Sequence, residues 1–155
     1  MCTGRSRKAA ACTPVTPPAD AATWWLRTAL GDLDAARALA GSNGVPPRTA
    51  VHLAHQAAEN ALKAIIASRG DRPDRTHDLV FLRDRCPRAV QLAMAHIDVA
   101  ALSEALLPAR YPAFDEPPIG STEVQRRLGE ASEIIEISTI HLRGLGLLGS
   151  EQSLA

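Results

Sequence analysis

Aromatic residues are scarce in this sequence. They make up 3% of its 155 residues, whereas hydrophobic residues make up 46%. Much of the apolar content is alanine, whose small side chain lets helices approach closely, whereas sheets favour branched and aromatic residues. There is also no internal repeat and no sustained alternation of period two. The sequence therefore predicts an all-α fold, and its length suits one domain with one helical core.

Net charge is also lacking, since 17 basic residues balance 17 acidic ones. No overall field would attract the protein to nucleic acid or to a membrane, so any site for a polyanion must be local. Lysine is nearly absent, since Lys8 and Lys63 are the only lysines and all other basic residues are arginines. The arginine fork suits phosphate, although a GC-rich gene produces the same excess. No apolar run is long enough to span a bilayer, so we expect no membrane association.

The cysteines are few and lack paired spacing. Cys2, Cys12 and Cys86 are odd in number, which argues against a disulfide framework or a zinc knuckle and predicts a reduced, cytoplasmic setting. His52, His55 and Glu59 stand at i, i+3 and i+7 on a predicted helix. Zinc sites on helices more often use histidines at i and i+4, and no distant ligand pair completes the set. We expect neither a metal nor a cofactor.

The chain divides into three parts by composition. Residues 1–19 are rich in threonine, proline and alanine without periodicity, which predicts a disordered lead-in. Residues 20–145 carry helical periodicity, and residues 146–155 are expected to form a flexible tail. Asp20 is expected to cap a first helix that ends near Ala40, where a stretch with two glycines and two prolines follows.

Further helices are marked by their first residues. A second helix is expected from Pro47, because proline is tolerated in a first turn. Asp78 is expected to start a short third helix that Pro87 interrupts, and Asp98 to cap another. The pattern is completed by a stretch from Arg88 to His96, a proline-rich loop over 109–120 and a last helix from Ser121 to about 144. The predicted architecture is an antiparallel bundle of four to five helices.

One face of the second helix is polar. His52, Gln56, Glu59 and Lys63 fall within about 60° of one another. They could form a wall for a phosphate or a ribose, with Lys63 as the cation. The alternative is a solvated face on which Glu59 and Lys63 form an i,i+4 pair worth about 0.2–0.5 kcal/mol. His55 lies about 60° from His52, and we expect it at the edge of a helix contact.

Two loop segments offer further candidates. In Thr76-His77-Asp78, Asp78 is expected to cap the next helix and His77 to face a cleft, where an imidazole could bind phosphate or transfer a proton. In the proline-rich loop, Arg110 could hold a phosphate and Tyr111 could stack on a base. Alternatively, Tyr111 packs the loop onto the bundle and Arg110 pairs with an acid at position 115 or 116.

Two other features of the sequence indicate surfaces exposed to solvent or to a partner. Residues 69–88 hold six arginines against four aspartates, which favours a solvated surface over an RNA-facing patch. Trp24 and Trp25 point about 100° apart on a helix, so one can enter the core while the other is exposed to a partner or a second subunit.

Together these segments resemble the HEPN domain family. The stretches are "WWLRTALGDLDAARAL" at 24–39, "HLAHQAAENALKAII" at 52–66, "THDL" at 76–79 and "ARYP" at 109–112, ahead of a last helix rich in glutamate. Their order and approximate spacing carry the resemblance, which covers roughly residues 21–143. Each stretch alone is weak, and the combination is what is typical of the family.

The resemblance implies a helical bundle that commonly forms a homodimer and is often encoded beside a small nucleotidyltransferase as a toxin–antitoxin-like pair. It also implies nucleotide or RNA binding, and some branches of the family are metal-independent ribonucleases. Those branches carry an arginine, then four to six residues of any type, then a histidine near the start of a late helix. No histidine follows Arg110 within that reach. Arg72 and His77 have the spacing but lie between the second and third helices.

Three hypotheses follow. The first is a module that binds a nucleotide or RNA and a nucleotidyltransferase partner without chemistry of its own. The second is a metal-independent ribonuclease with His77 and Arg72 as catalytic residues, and the third is a scaffold without a ligand. The first requires that Lys63, His77 and Arg110 surround one hollow. Its predicted ligand-binding residues are His52, Gln56, Lys63, His77, Arg110 and Tyr111.

Overall fold

The computed structural model describes residues 18–111, 113–115 and 117–149, and all of its regular secondary structure is helical. The seven helices of these residues are α1 (Pro18–Ala40), α2 (Pro47–Ser68), α3 (Leu79–Arg85), α4 (Arg88–Ala93), α5 (Val99–Glu104), α6 (Leu106–Arg110) and α7 (Ser121–Gly144). The predicted all-α bundle is confirmed. Within the described residues, no helix is long and apolar enough to cross a membrane.

The three long helices α1, α2 and α7 pack on one another and form the core. α1 contributes a narrow stripe of buried residues, in which Leu26 and Leu33 alternate with alanines. α2 is different, because all but three of its residues from Ala50 to Ala67 are buried. Alanine at many of these positions lets α1 and α7 approach α2 closely. α1 runs antiparallel to α2, since Trp25 reaches Lys63 near the end of α2 and Asp32 reaches Asn60 before it.

Of the short helices, α3 and α6 pack against α2, α5 supplies the carbonyl oxygen that meets buried His55, and α4 packs against α7. Asp78 caps α3, since its Oδ1 accepts hydrogen bonds from the backbone N–H groups of Val80 and Phe81 at 2.9 and 3.1 Å. Asp98 caps α5 by accepting from the backbone N–H of Ala101 at 3.0 Å. Both predicted caps are confirmed, as are the starts of α2 at Pro47 and of α7 at Ser121.

Three details differ from the sequence prediction. Asp20 lies in the first turn of α1, which begins at Pro18, so it does not occupy the position before the helix. The stretch predicted from Arg88 to His96 is helical only to Ala93 and continues as turns toward the next cap. The segment after Asp98 is split at Ala105 into two helices. Pro108 explains this split, because it has no N–H to donate to the carbonyl four residues earlier.

The predicted ends of the chain lie mostly outside the described residues. Residues 1–17 and 150–155 lie outside the described residues, so the lead-in over 1–19 and the tail over 146–155 stay predictions.

The two adjacent tryptophans differ in exposure. Trp24 is 56% exposed and Trp25 is half-buried. Their rings meet edge to face with centroids 4.8 Å apart. One tryptophan is thus packed and one is open to solvent, as the helical spacing predicted.

Candidate functional site

A buried carboxylate, Glu59, lies at the centre of the polar face of α2. Its oxygens meet two cations or potential cations: Oε1 is 2.6 Å from Nζ of Lys63, and Oε2 is 2.9 Å from Nδ1 of His77. Gln56 donates from Nε2 to the same Oε2 at 3.3 Å, and Nε2 of His55 lies 3.6 Å from it, which is longer than a hydrogen bond. We call His52, Gln56, Glu59 and Lys63 the polar strip of α2.

The ionisation of Glu59 follows from this environment. Burial raises the pKa of a carboxyl group, but the contacts with His55, Lys63 and His77 outweigh it and hold the pKa of Glu59 at about 2. Glu59 is therefore an ion at neutral pH although it is 3% exposed. The solvated face considered for these residues is wrong, because Lys63 is buried as well. The predicted i,i+4 pair of Glu59 and Lys63 is present, as a buried pair.

Helix α1 packs against the end of the polar strip where Lys63 lies. The Nζ of Lys63 lies 5.3 Å from the ring centroid of Trp25, within the range of a cation–π contact. Asn60 donates to Asp32 of α1 at 2.8 Å. Burial raises the pKa of Asp32, the hydrogen bond from Asn60 opposes this, and the nearby charge of Glu59 raises it further. α1 therefore contributes both an aromatic ring and an acid to the site.

One ring nitrogen of His77 is hydrogen-bonded, and the rest of the ring is exposed to solvent. Its Nδ1 meets Glu59, whereas its side chain is 57% exposed. The residues beside it fix the loop locally, because Thr76 accepts a hydrogen bond from the backbone N–H of Asp78 at 3.1 Å, and Asp78 caps α3. His77 thus lies between two fixed neighbours with most of its ring exposed, and the cleft that the sequence predicted it to face stays a prediction.

Arg110 and Tyr111 lie at the other end of the strip, where α6 ends. The guanidinium of Arg110 stacks 5.4 Å from the ring centroid of Tyr111, and Tyr111 is 67% exposed. Tyr111 therefore does not pack the loop onto the bundle. Among the described residues, Arg110 makes no ion pair with Asp115. The alternative with position 116 lies outside them.

The pKa of His52 is affected by charged groups toward both ends of the strip, among them Arg110 and Glu59. Burial lowers its pKa, and the neighbouring positive charge of Arg110 and the ring of His55 lower it further. Its Nδ1 is buried and has no hydrogen-bond partner among the described residues. His52 is therefore mostly neutral at pH 7, and it lies close enough to Arg110 to be affected by its charge.

The three residues expected around one hollow are spread along α2. Lys63 and His77 share Glu59, whereas the charge of Arg110 acts on His52, which lies eleven residues from Lys63, or about 16 Å along the axis of α2. Lys63 is also committed to Glu59, so a ligand would have to compete with that pair. A cavity of about 390 Å³ opens beside the Arg110 end, and its lining includes Arg48, Pro108 and Phe114.

His55 and Arg72 do not join the strip. His55 is fully buried, and its Nδ1 lies 3.2 Å from the carbonyl oxygen of Leu102 in α5, so it sits within a helix contact rather than at its edge. Arg72 is exposed, and no hydrogen bond or ion pair joins it to His77 in the part of the chain that the structure describes. The spacing of Arg72 and His77 is thus not accompanied by a contact.

The loop over 69–78 and helix α3 pair most of their charges locally. Arg69 lies 3.9 Å from Asp71, Arg85 lies 3.5 Å from Asp74, and Arg83 meets its neighbour Asp84 at 2.8 Å. This is the arrangement of a solvated surface. No group of three or more possible metal-ligating side chains is present among the described residues.

Sequence reasoning missed the central role of Glu59 and the contribution of Asp32 and Trp25. The sequence suggests Glu59 as the partner of Lys63, as part of a ligand-binding wall or as a metal ligand, but not as the partner of His77, because periodicity does not show which loop residue closes over a helix. Asp32 could have been noticed as an acid at the margin of the apolar stripe of α1. Nothing in the spacing indicates that Trp25 would cover Lys63.

The chain belongs to the HEPN domain family, whose model matches residues 22–141. Two solved structures are similar to it. One is TT1696 from Thermus thermophilus, with 26% identity over 77% of this chain and 96% of that chain and a TM-score of 0.62. The other is ST0689, an archaeal HEPN homologue, with 21% identity, 78% and 97% coverage and a TM-score of 0.60, which supports the fold alone. No curated protein matches the sequence significantly.

Proposed function

We propose that this HEPN-domain chain binds a nucleotide or RNA along the polar strip of α2 and acts with a nucleotidyltransferase partner in a toxin–antitoxin-like pair. The partner and the homodimer in which the chain would act are implied by the family. The binding surface is argued from the geometry of the site. It consists of His77 at one end and of Arg110 with Tyr111 at the other, with His52 and Gln56 between them.

The stacked and exposed pair of Arg110 and Tyr111 is the observation that carries the proposal. A tyrosine that is 67% exposed beside an arginine leaves apolar area in contact with solvent and stabilises the bundle little. The same pair offers a planar cation for phosphate and a ring for a base, which are the two groups that every nucleotide presents. The neighbouring cavity with Arg48 and Phe114 adds a second cation and apolar area.

Lys63 has an indirect role in this proposal. Its side chain is 9% exposed and lies 2.6 Å from Glu59, so a phosphate would gain little from it. Lys63 instead helps to keep Glu59 ionised, together with His55 and His77, and Glu59 holds His77. We therefore assign phosphate contact to Arg110 and His77, and support to Lys63.

Binding is tested by calorimetry with ATP and by fluorescence anisotropy with a labelled single-stranded RNA. Arg110→Ala and Tyr111→Ala should each weaken binding about tenfold, which corresponds to about 1.4 kcal/mol for one lost charged or stacking contact. Arg88→Ala is the matched control, because Arg88 is an exposed arginine on another helix. The proposal fails if neither ligand binds, or if Arg88→Ala weakens binding as much as Arg110→Ala.

The partner is tested separately by native mass spectrometry after co-expression with a nucleotidyltransferase encoded by a neighbouring gene. A stable complex of the two chains is expected. The same measurement on the chain alone should give twice the mass of one subunit. A monomer at micromolar concentration would refute the homodimer, and if nucleotide and RNA binding also failed, a scaffold without a ligand would be the better description.

A metal-independent ribonuclease is the second candidate, and the 2.9 Å contact between Glu59 and His77 favours it. A carboxylate that orients an exposed imidazole is the arrangement of a general base. Arg72 would then have to approach His77 when RNA binds and stabilise the negative charge on the oxygens of the pentavalent phosphorus. RNA cleavage should persist in EDTA and disappear in His77→Ala. His96→Ala, which changes an exposed histidine paired with Glu133, should leave it intact, and cleavage that survives His77→Ala would exclude the assignment.

A further inference from the structure

We infer that Glu59 is a positioning residue that holds neutral His77 as the Nδ1–H tautomer and so makes Nε2 the atom that meets the ligand. The inference rests on the proposed function in one respect, namely that His77 faces a ligand. It adds a residue, a tautomer and a contact atom that the family pattern does not supply.

The carboxylate of Glu59 is fixed from both sides. Oε1 faces Lys63 at 2.6 Å, and Oε2 faces His77 at 2.9 Å with Gln56 at 3.3 Å. Rotation of the carboxylate would break the buried contact with Lys63, which Trp25 in turn covers. Glu59 is also 3% exposed, so water does not compete well for Oε2. The oxygen that meets His77 therefore has a defined position.

The direction of the hydrogen bond follows from the charge of Glu59. An ionised carboxylate can only accept hydrogen bonds, so Nδ1 of His77 must carry the proton. In a neutral ring this leaves Nε2 without a proton. The two nitrogens lie on different edges of the ring, so Nε2 is directed away from Glu59, and the ring is exposed enough to be reached.

The consequence for recognition depends on the charge of His77. A neutral ring presents Nε2 as an acceptor, which suits a hydroxyl group such as that of a ribose. A protonated ring presents it as a donor, which suits a phosphate oxygen. In both cases Glu59 keeps the same edge of the ring outward. Without Glu59, either nitrogen could carry the proton of the neutral ring.

The tautomer is measured directly on the full-length wild-type protein. Side-chain ¹⁵N spectra of the histidines, recorded at a pH at which His77 is neutral and assigned with His77→Asn, distinguish Nδ1–H from Nε2–H. We expect the Nδ1–H pattern for His77. The Nε2–H pattern, or an even mixture, would overturn the inference without any variant of Glu59.

The variants separate positioning from charge pairing. Lys63→Met keeps Glu59 and should keep the Nδ1–H pattern of His77. Glu59→Gln with Lys63→Met removes both charges, leaves neither unpaired, and should give a mixture of tautomers in a chain that is still helical by circular dichroism. Glu133→Gln is the matched control, because Glu133 binds exposed His96 at 2.7 Å, and it should change His96 alone. An unchanged His77 pattern in the double variant would refute the role of Glu59.

Ligand binding is read out independently of the tautomer. If wild-type chain binds ATP or single-stranded RNA, the double variant should bind about tenfold more weakly than Lys63→Met. Equal affinity of the two variants would contradict the inference that Nε2 meets the ligand. If the wild-type chain binds neither probe, the proposed function fails while the tautomer still decides whether Glu59 positions His77.

Discussion

Lys63→Met should destabilise the fold markedly, because it leaves Glu59 as a buried ion that has lost its nearest partner. Lys63 and Glu59 have side chains 9% and 4% exposed, and their charged atoms are 2.6 Å apart. Methionine has a similar length and can retain the contact with Trp25. The substitution therefore removes the charge with little change in packing volume.

The expected loss is about 3 kcal/mol of unfolding free energy. Removing one partner of a buried ion pair costs about 3–5 kcal/mol, and His77 remains to offset part of the charge of Glu59. Burial raises the pKa of Glu59, and the contacts with His55, Lys63 and His77 together lower it to about 2. Removal of Lys63 alone leaves two of these three contacts, which places the expected loss at the lower end of that range.

Urea unfolding followed by circular dichroism measures this loss, because the described residues are helical throughout their regular structure. Glu59→Gln should cost a similar amount, whereas the double variant should recover to within about 1 kcal/mol of wild type, since neither charge is then left unpaired. Glu133→Gln, in an exposed pair, should cost less than about 1 kcal/mol. A loss below about 1 kcal/mol in Lys63→Met, or simple addition of the two single losses, would refute the reasoning.

Three further predictions concern pH, capping and the buried thiol. The pKa of Glu59 is lower in the folded state, so its contribution to stability should be fully present above pH 4.5 and should fall as the pH decreases toward 2. The difference in unfolding free energy between wild type and Glu59→Gln should therefore shrink between pH 4.5 and pH 2. A difference that stayed constant over this range would contradict the assignment. Asp78→Ala should cost about 1 kcal/mol in urea unfolding, because two backbone N–H groups of α3 lose their acceptor, and no loss would exclude the cap. Burial raises the pKa of the Cys86 thiol to about 12, so peptide mapping after iodoacetamide treatment at about pH 8 should find Cys86 unlabelled in the native chain and labelled in urea.

Much of the fold was predictable, because its signals are local. Proline at the start of α2, the caps Asp78 and Asp98, and the apolar stripe of α1 depend on residues within a few positions of one another. Where prediction differed, a local rule was applied too coarsely. The split at Ala105 follows from the missing N–H of Pro108, and α1 begins two residues before Asp20.

The candidate site was predictable only in part, because its contacts join distant segments. The sequence indicated that His52, Gln56, Glu59 and Lys63 share a face, and they do. It did not indicate that this face is covered, so a solvated pair of Glu59 and Lys63 remained an open alternative. Burial by α1 is what makes the loss of either partner of that pair costly, whereas the loss of one partner of an exposed pair costs little.

What the sequence determined by itself is the class of fold, the boundaries of most helices and the resemblance to the HEPN family, since these depend on periodicity, capping residues and the order of short segments along the chain. What only the tertiary structure decided is which atoms meet. The loop ahead of α3 brings His77 to Glu59, α1 brings Trp25 to Lys63, and α5 brings the carbonyl oxygen of Leu102 to His55. The physical reason is that hydrogen bonds and ion pairs act over a few ångströms, and packing alone sets the distances between residues far apart in the chain.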